Sequence, residues 1–193
     1  MLIHFQCILE MSIFLKGQTH MTDLYNRIVG QRSSFENLML KVPGYRGYKE
    51  AMDRRAADRM MRDHIVKLLK EQMNHLVDVE KKILTAGGLS QASKTHEAKL
   101  KFQTFIDRVN TATPGYAGFF DAKKIGEEEL DMLYKFDTAL LAYTDKFKAA
   151  IDALETAAGE SAALPGAISA LEALGTEANS AYALRDNVLT GIS

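Results

Sequence analysis

Residues 133–154, LYKFDTALLAYTDKFKAAIDAL, indicate the fold class most clearly. Apolar residues recur there at alternating spacings of three and four, at Leu133, Phe136, Leu140, Tyr143, Phe147, Ala150 and Leu154. This spacing puts them on one face of an α-helix for about three heptads. It predicts a helix that packs along its whole length, inside a bundle of this chain or at the interface of a homodimer.

Outward from this stretch, the sequence predicts an all-α protein without a sheet. The expected helices are 23–41, 48–86, 93–110, 126–158 and 161–189. Pro43 and Gly44 end the first helix and Gly87 ends the second, whereas Gly175 is expected to divide the last one. Short connections make neighbouring helices antiparallel. We therefore predict an elongated antiparallel bundle of four or five helices, of which the second and fourth are long.

Composition is that of an ordinary globular protein. The chain has 193 residues, of which 47% are hydrophobic and 25% charged, which excludes wholesale disorder and suits a single domain. Cys7 is the only cysteine, so the chain has no intramolecular disulfide and a cytoplasmic location is expected.

The first twenty residues have a different character. Residues 1–16 are apolar but too short to span a bilayer, and no basic region precedes them as in a signal peptide. Met21 followed by Thr22 or Asp23 as a helix cap resembles a natural start. We therefore predict that 1–20 are upstream sequence and that 21–193 form the domain. The alternatives are an extension packed on the bundle and a membrane-surface anchor.

A PGYxG motif followed by an aromatic residue occurs twice, at 43–48 and 114–119. Both copies lie between predicted helices, and their prolines and glycines favour a rigid corner. Alternatively, the motifs present aromatic loops to a partner or to a membrane surface. The candidates for such contacts are Tyr45, Arg46, Tyr48, Tyr116, Phe119 and Phe120.

An arginine-rich segment, YKEAMDRRAADRMMRDH, covers 48–64. Its charges alternate at i,i+4, as in Asp58–Arg62 and Arg59–Asp63, which is typical of a solvated helix face. One alternative is an ion pair between helices with Asp137, which borders the apolar stripe. Another is binding of phosphate, lipid or nucleic acid, although the interleaved acids disfavour it. The interaction candidates are Arg54, Arg55, Arg59 and Arg62.

Patterns for catalysis and metal binding are weak. The sequence has no phosphate-binding loop, nucleophile elbow or Cys-x-x-Cys. Glu71, His75 and Asp78 share a helix face, but the Glu-x-x-His pairs of a di-iron bundle are missing. We assign no catalytic residue, metal or cofactor. If the bundle nevertheless held an enzyme or metal site, the residues to inspect would be Asp137, His64, Arg55, Arg59 and Arg62.

Two stretches resemble a family of uncharacterised bacterial proteins. They are VPGYRGYKEAMDRRAADRMMRDHI at 42–65 and GYAGFFDAKKIGEEELDMLYKFDTALL at 115–141. The resemblance extends over roughly 23–154. It implies an all-helical cytoplasmic protein and transfers no catalytic residue.

These features predict a non-enzymatic helical scaffold or adaptor that binds an unidentified protein or a second copy of itself. The alternative is a peripheral membrane or envelope-stress protein that binds anionic lipid through its second helix. Residues 41–70 contain nine Lys or Arg and four Asp or Glu, whereas 150–193 contain one Arg and six acids. The net charge of −1 gives no reason to expect nucleic acid as a partner.

Overall fold

The computed structural model describes residues 23–28, 35–47, 54–86, 89–111, 127–160 and 162–191. Residues 23–28 are helical. The other helices are α1 (Phe35–Lys41), α2 (Arg54–Thr85), α3 (Leu89–Asn110), α4 (Glu127–Ala157) and α5 (Leu164–Gly191). No strand occurs within these ranges, and the prediction of an all-α bundle is confirmed. The expectations for residues 1–20 lie outside the described residues.

Most helix ends lie close to their predicted positions, but α3 begins four residues early. It starts at Leu89 instead of Ser93. The reason is packing, because Ala92 and Thr95 are buried on the same face as Ala98 and Phe102. The first turn of α3 therefore already contacts the bundle.

The prediction that Gly175 divides the last helix is wrong, since α5 is continuous. Gly175 lies at a close approach of α5 to the backbone of α3. A Cβ added to it would stand 3.0 Å from the Cβ of Lys101. The glycine thus permits close contact between the two helices, and packing against α3 stabilises α5 as one continuous helix.

The four long helices form two antiparallel hairpins, α2–α3 and α4–α5. Short connections join the members of each hairpin, as the sequence predicted. The pair formed by Glu80 and Lys99 links α2 to α3, and a hydrogen bond from Tyr143 to Glu177 links α4 to α5.

The two hairpins pack against each other through parallel pairs of helices. α2 packs on α4, and α3 packs on α5. His75 and then Lys82 of α2 meet Asp152 and then Glu155 of α4, so these two helices run in the same direction. Lys101 and then Arg108 of α3 likewise meet Glu172 and then Asn179 of α5. Helices α3 and α4, which follow each other in the chain, consequently occupy opposite corners. The antiparallel arrangement of adjacent helices therefore holds within the hairpins and not between them.

An aromatic layer fills the centre between α3 and α4. The rings of Phe102 and Phe147 are stacked with centroids 4.0 Å apart, and Phe105 lies 5.9 Å from Tyr143. The apolar stripe of 133–154 is thus buried within one chain. At the end of the stripe the buried position moves by one residue, since Ile151 is fully buried and Ala150 only half-buried. The reason is that a straight helix has about 3.6 residues per turn, whereas the predicted repeat has about 3.5.

Residues 23–28 pack on the outside of α4 and α5. Leu24 and Ile28 are buried. The hydroxyl of Tyr25 lies 3.4 Å from the sulfur of Met132, and Arg27 pairs with Glu177 at 3.6 Å.

Candidate functional site

Four charged side chains are buried together near one end of the bundle, and we call them the buried charge network. Asp58 and Arg62 come from α2, Asp137 from α4 and Arg185 from α5. Their exposed fractions are 2%, 6%, 0% and 0%. Two cations and two anions balance, so the network as a whole carries no net formal charge.

Arg185 is the centre of the buried charge network. Its Nη2 donates to Oδ1 of Asp58 at 2.6 Å, and its Nε donates to Oδ1 of Asp137 at 2.7 Å. Arg62 Nε donates to the other oxygen of Asp58 at 2.8 Å. An unpaired buried charge would be strongly unfavourable, and these hydrogen bonds compensate for the loss of water around each ion.

Arg62 extends the network to α3. Its Nη1 donates to the carbonyl oxygens of Val109 and Asn110, both at 3.3 Å. These carbonyls belong to the last turn of α3, where they lack partners within the helix and where the helix dipole favours a cation. The buried charge network thereby joins all four long helices.

This geometry corrects the interpretation of the arginine-rich segment as one solvated face. The i,i+4 pair Asp58–Arg62 is present, but it is buried, whereas Arg59 and Asp63 are exposed. Asp137 pairs with Arg185 of α5, whereas the sequence suggested a partner for it in the arginine-rich segment. The side chains of Arg54 and Arg55 lie outside the described residues.

Arg185 is not among the predicted site residues, although the sequence contains a signal for it. It is the only basic residue in 150–193. It follows Ala178 and Tyr182 at helical spacing, and both of those point inward. A lone arginine on the inner face of an alanine-rich helix indicates a buried counter-ion elsewhere in the fold.

The described part of the first PGYxG motif, residues 43–47, forms a corner directly after α1. Gly44 and Gly47 have φ angles of 79° and 82°, which favour glycine. Tyr45 is only 2% exposed, so its ring packs inward and is not presented to a partner, whereas Arg46 is exposed. Tyr48, and with it the second motif with Tyr116, Phe119 and Phe120, lies outside the described residues.

The first motif adjoins the end of the bundle that holds the buried charge network. A Cβ on Gly44 would lie 3.6 Å from the sulfur of Met60, two residues before Arg62.

Three large apolar side chains are exposed on α1 and in the first two turns of α2, before and after the first corner, and we call them the Met39–Met60 surface. It consists of Met39, Leu40 and Met60, which are 48%, 85% and 39% exposed. Lys41 and Arg59 are exposed cations next to Leu40 and Met60 in the chain, and Arg46 is an exposed cation of the corner between them. Within the described ranges, Lys41 makes a long, exposed pair with Asp145 at 3.7 Å. The exposed apolar side chains are therefore accompanied by cations close to them in the chain.

A second polar cluster surrounds Glu177 on α5. The hydroxyl of Tyr143 donates to it at 2.8 Å and Lys146 at 3.3 Å. Burial alone raises the pKa of Glu177, but these donors and the nearby Arg27 outweigh burial and lower that pKa below its usual value. Burial and the carboxylate raise the pKa of Tyr143 well above its ordinary range.

His75 lies in a third cluster, away from the buried charge network. Its Nε2 is 2.9 Å from Oε2 of Glu155, which also accepts a hydrogen bond from Lys82. The hydrogen bonds from Lys82 and His75 lower the pKa of Glu155. His75 thus faces α4, and no set of three metal-binding side chains occurs in the described part of the chain.

His64, a residue to inspect for catalysis, is half-buried on α2. Burial and the charge of Lys67 lower its pKa, while Glu71 acts in the opposite direction. Its imidazole is consequently neutral near pH 7.

Comparison with protein-family models, with curated proteins and with solved structures finds no match to this chain. Among the described residues, no helix combines the length and apolar character needed to cross a membrane.

Proposed function

We propose that the protein is a non-enzymatic helical adaptor of the cytoplasm that binds a protein partner through the Met39–Met60 surface. The observation that carries this proposal is the exposure of Met39, Leu40 and Met60 beside a rigid corner. Single exposed leucines are common on proteins, but neighbouring large apolar side chains at a fixed turn are typical of interaction sites.

The cations close to the Met39–Met60 surface in the chain define the chemistry of the partner. Lys41, Arg46 and Arg59 would attract a segment that carries Asp or Glu around an apolar centre. Methionine side chains adapt their shape to an incoming apolar group, which suits a docked helix or loop. The partner is therefore a protein segment with apolar anchors and acidic flanks.

Two features support a rigid platform for this surface. The first is the corner at 42–47, in which Val42 and Tyr45 are buried while the adjoining α1 presents Leu40. The second is the buried charge network, which holds α2 against α3 and α5 close to Met60. A preformed surface loses less conformational entropy on binding than a flexible one.

The basic second helix gives less support to anionic lipid as the partner. Arg62 belongs to the excess of basic residues in 41–70, and it is buried against Asp58 and the end of α3. The cationic face available to a membrane is thereby smaller than the sequence suggests.

The test compares the full chain with two variants in cells that produce the protein naturally. Leu40→Ser and Met60→Ser remove apolar area from the Met39–Met60 surface. Proteins captured by each tagged form are quantified by mass spectrometry. We expect a partner with acidic flanking residues to be captured by the unchanged chain and to be reduced about tenfold with either variant, which corresponds to about 1.4 kcal/mol.

Leu100→Ser is the matched control, because Leu100 is 53% exposed on α3 and does not belong to the Met39–Met60 surface. It should capture the partner as well as the unchanged chain does. Equal capture by all four proteins would contradict the proposal, as would a partner lost with Leu100→Ser alone. Binding to anionic vesicles without any protein partner would support the lipid alternative.

A further inference from the structure

A groove of about 360 Å³ lies between α3 and α5, separate from the Met39–Met60 surface and the buried charge network. Its volume is near the lower end of the range for small-molecule sites. α3 contributes two cations to it, and α5 contributes small polar and apolar side chains. The lining residues are Lys101, Arg108, Thr176, Asn179, Ser180 and Ala183.

The floor of the groove is fixed by contacts between the helices. Asn179 donates one amide hydrogen to the carbonyl of Lys101 at 3.0 Å and the other to the carbonyl of Gly175 at 2.8 Å. Gly175 also permits the close approach of the two backbones. The groove is therefore preformed, so that a ligand need not order it.

Arg108 crosses from α3 to α5 without meeting a carboxylate in the described ranges. Its Nη1 donates to the backbone oxygen of Asn179 at 2.9 Å, and its guanidinium lies 6.0 Å from the centre of the Tyr182 ring. Both partners are uncharged. The carbonyls of Val109 and Asn110, at the end of α3, accept hydrogen bonds from Arg62. Arg108 instead extends across the groove to α5.

Lys101 supplies the second positive charge. It donates to Glu172 at 2.7 Å and to Thr176 at 3.3 Å. This ion pair is about two-fifths exposed on both sides, so solvent weakens it. With one carboxylate against two cations, the groove carries a net positive charge.

We propose that this groove binds the phosphoryl group of a small phosphate ester. Within the described ranges, only Nη1 of Arg108 donates hydrogen bonds, and both go to Asn179. A guanidinium can donate its other N–H groups to two phosphate oxygens at once. Lys101 adds a second charge. The hydroxyl of Ser180 donates to the carbonyl of Thr176 at 3.1 Å and would rotate to donate to a phosphate oxygen instead. The organic part of the ester lies along Ala183 and the aliphatic stems of Lys101 and Arg108.

The test titrates the isotope-labelled full chain with inorganic phosphate and, separately, with phenyl phosphate, followed by amide NMR. We expect shifts confined to 101–108 and 176–183, with phenyl phosphate binding more tightly than phosphate. Arg108→Gln should weaken binding at least about tenfold, because it removes the charge-assisted hydrogen bonds. Lys148→Gln is the matched control, since Lys148 is an exposed cation of α4.

Ser180→Glu keeps the test decisive if Arg108→Gln disturbs packing on Tyr182. It leaves both cations in place and puts a carboxylate into the groove, which should prevent phosphate binding. No shift at either segment would overturn the proposal, and so would equal binding by Ser180→Glu and the unchanged chain. Equal weakening by Lys148→Gln would show non-specific attraction and would also overturn it. If inorganic phosphate bound and phenyl phosphate did not, the ester would be ruled out and the ligand would be the free anion.

Discussion

Arg185 and Asp58 are 127 residues apart in the sequence, yet Nη2 of one lies 2.6 Å from Oδ1 of the other in the interior of the bundle. They belong to α5 and α2, which occupy opposite corners. The contact therefore crosses the centre of the bundle, just as the stacked pair Phe102–Phe147 crosses the other diagonal. The core therefore contains one ionic layer and one aromatic layer, in addition to its aliphatic residues.

Removal of the central cation should destabilise the protein strongly. Arg185→Met fills similar space, but it leaves Asp137 without this partner and Asp58 with Arg62 alone. A buried charge left without compensation costs about 3–5 kcal/mol of folding free energy. The free energy of unfolding in urea, obtained by circular dichroism, measures this loss.

Arg59→Met is the control for that measurement, because Arg59 is an exposed arginine of the neighbouring α2. Its effect should stay within about 0.5 kcal/mol. A similarly small effect of Arg185→Met would show that the buried charge network adds little to stability.

Replacement of the whole network should behave differently from removal of one member. We expect the combined variant Asp58→Leu, Arg62→Met, Asp137→Leu and Arg185→Met to be more stable than Arg185→Met alone. No charge is then buried without a partner, and apolar substitutes for buried ion pairs are often neutral or stabilising. The same urea unfolding compares the two proteins. If the combined variant lost more stability than the single one, the charges themselves would be net stabilising.

Two glycines of α5 should respond to alanine with opposite signs. Gly166→Ala meets no atom within 4 Å, so helix propensity should stabilise the protein by up to about 1 kcal/mol. Gly175→Ala puts a methyl group 3.0 Å from Lys101 Cβ, which is attached directly to the α3 backbone. We expect a net loss of stability of about 1–3 kcal/mol from overpacking. Thermal unfolding of both variants provides the comparison, and stabilisation by both would mean that the helices separate easily.

Glu177 should make stability depend on pH in the acid range. Its pKa in the folded protein lies below the ordinary value of 4.5. A lowered carboxyl pKa stabilises the fold fully above the unfolded pKa, and this contribution is lost as pH falls through the folded pKa. The difference in unfolding free energy between the unchanged chain and Glu177→Gln should be constant above about pH 5.5 and shrink below about pH 4.5.

Glu160→Gln serves as the control for this pH series, since Glu160 is an exposed residue after α4. Its difference from the unchanged chain should remain small throughout. A difference for Glu177→Gln that widened toward acid pH would reverse the assigned direction of the pKa shift.

The sequence predicted those parts of the fold that depend on local periodicity. The alternating spacing from Leu133 to Leu154 specified a buried helix, and Pro43 and Gly44 specified the end of α1. Asp137 was recognisable because a charge beside an apolar stripe needs a partner. Local spacing could place Arg185 on the inner face of its helix, but it could not pair Arg185 with Asp137, which lies 48 positions away on another helix.

The arrangement of the hairpins was also beyond local reasoning. Short connections predict antiparallel neighbours, but no local pattern shows whether α3 lies beside α4 or diagonally across from it. Gly175 illustrates the same limit: a glycine in a helix suggests a break, and only the nearness of Lys101 reveals that it serves close packing.

The two-hairpin topology has a consequence for how the bundle selects its own register. Apolar side chains alone would tolerate a shift of one hairpin along the other by a heptad, which is about 10 Å. Such a shift would carry Asp137 and Arg185, which move together on the second hairpin, away from Asp58 on the first. In the shifted register, Asp58 and Arg185 would each be buried without the other as a partner. The buried charge network therefore disfavours a shifted register that apolar packing alone would tolerate.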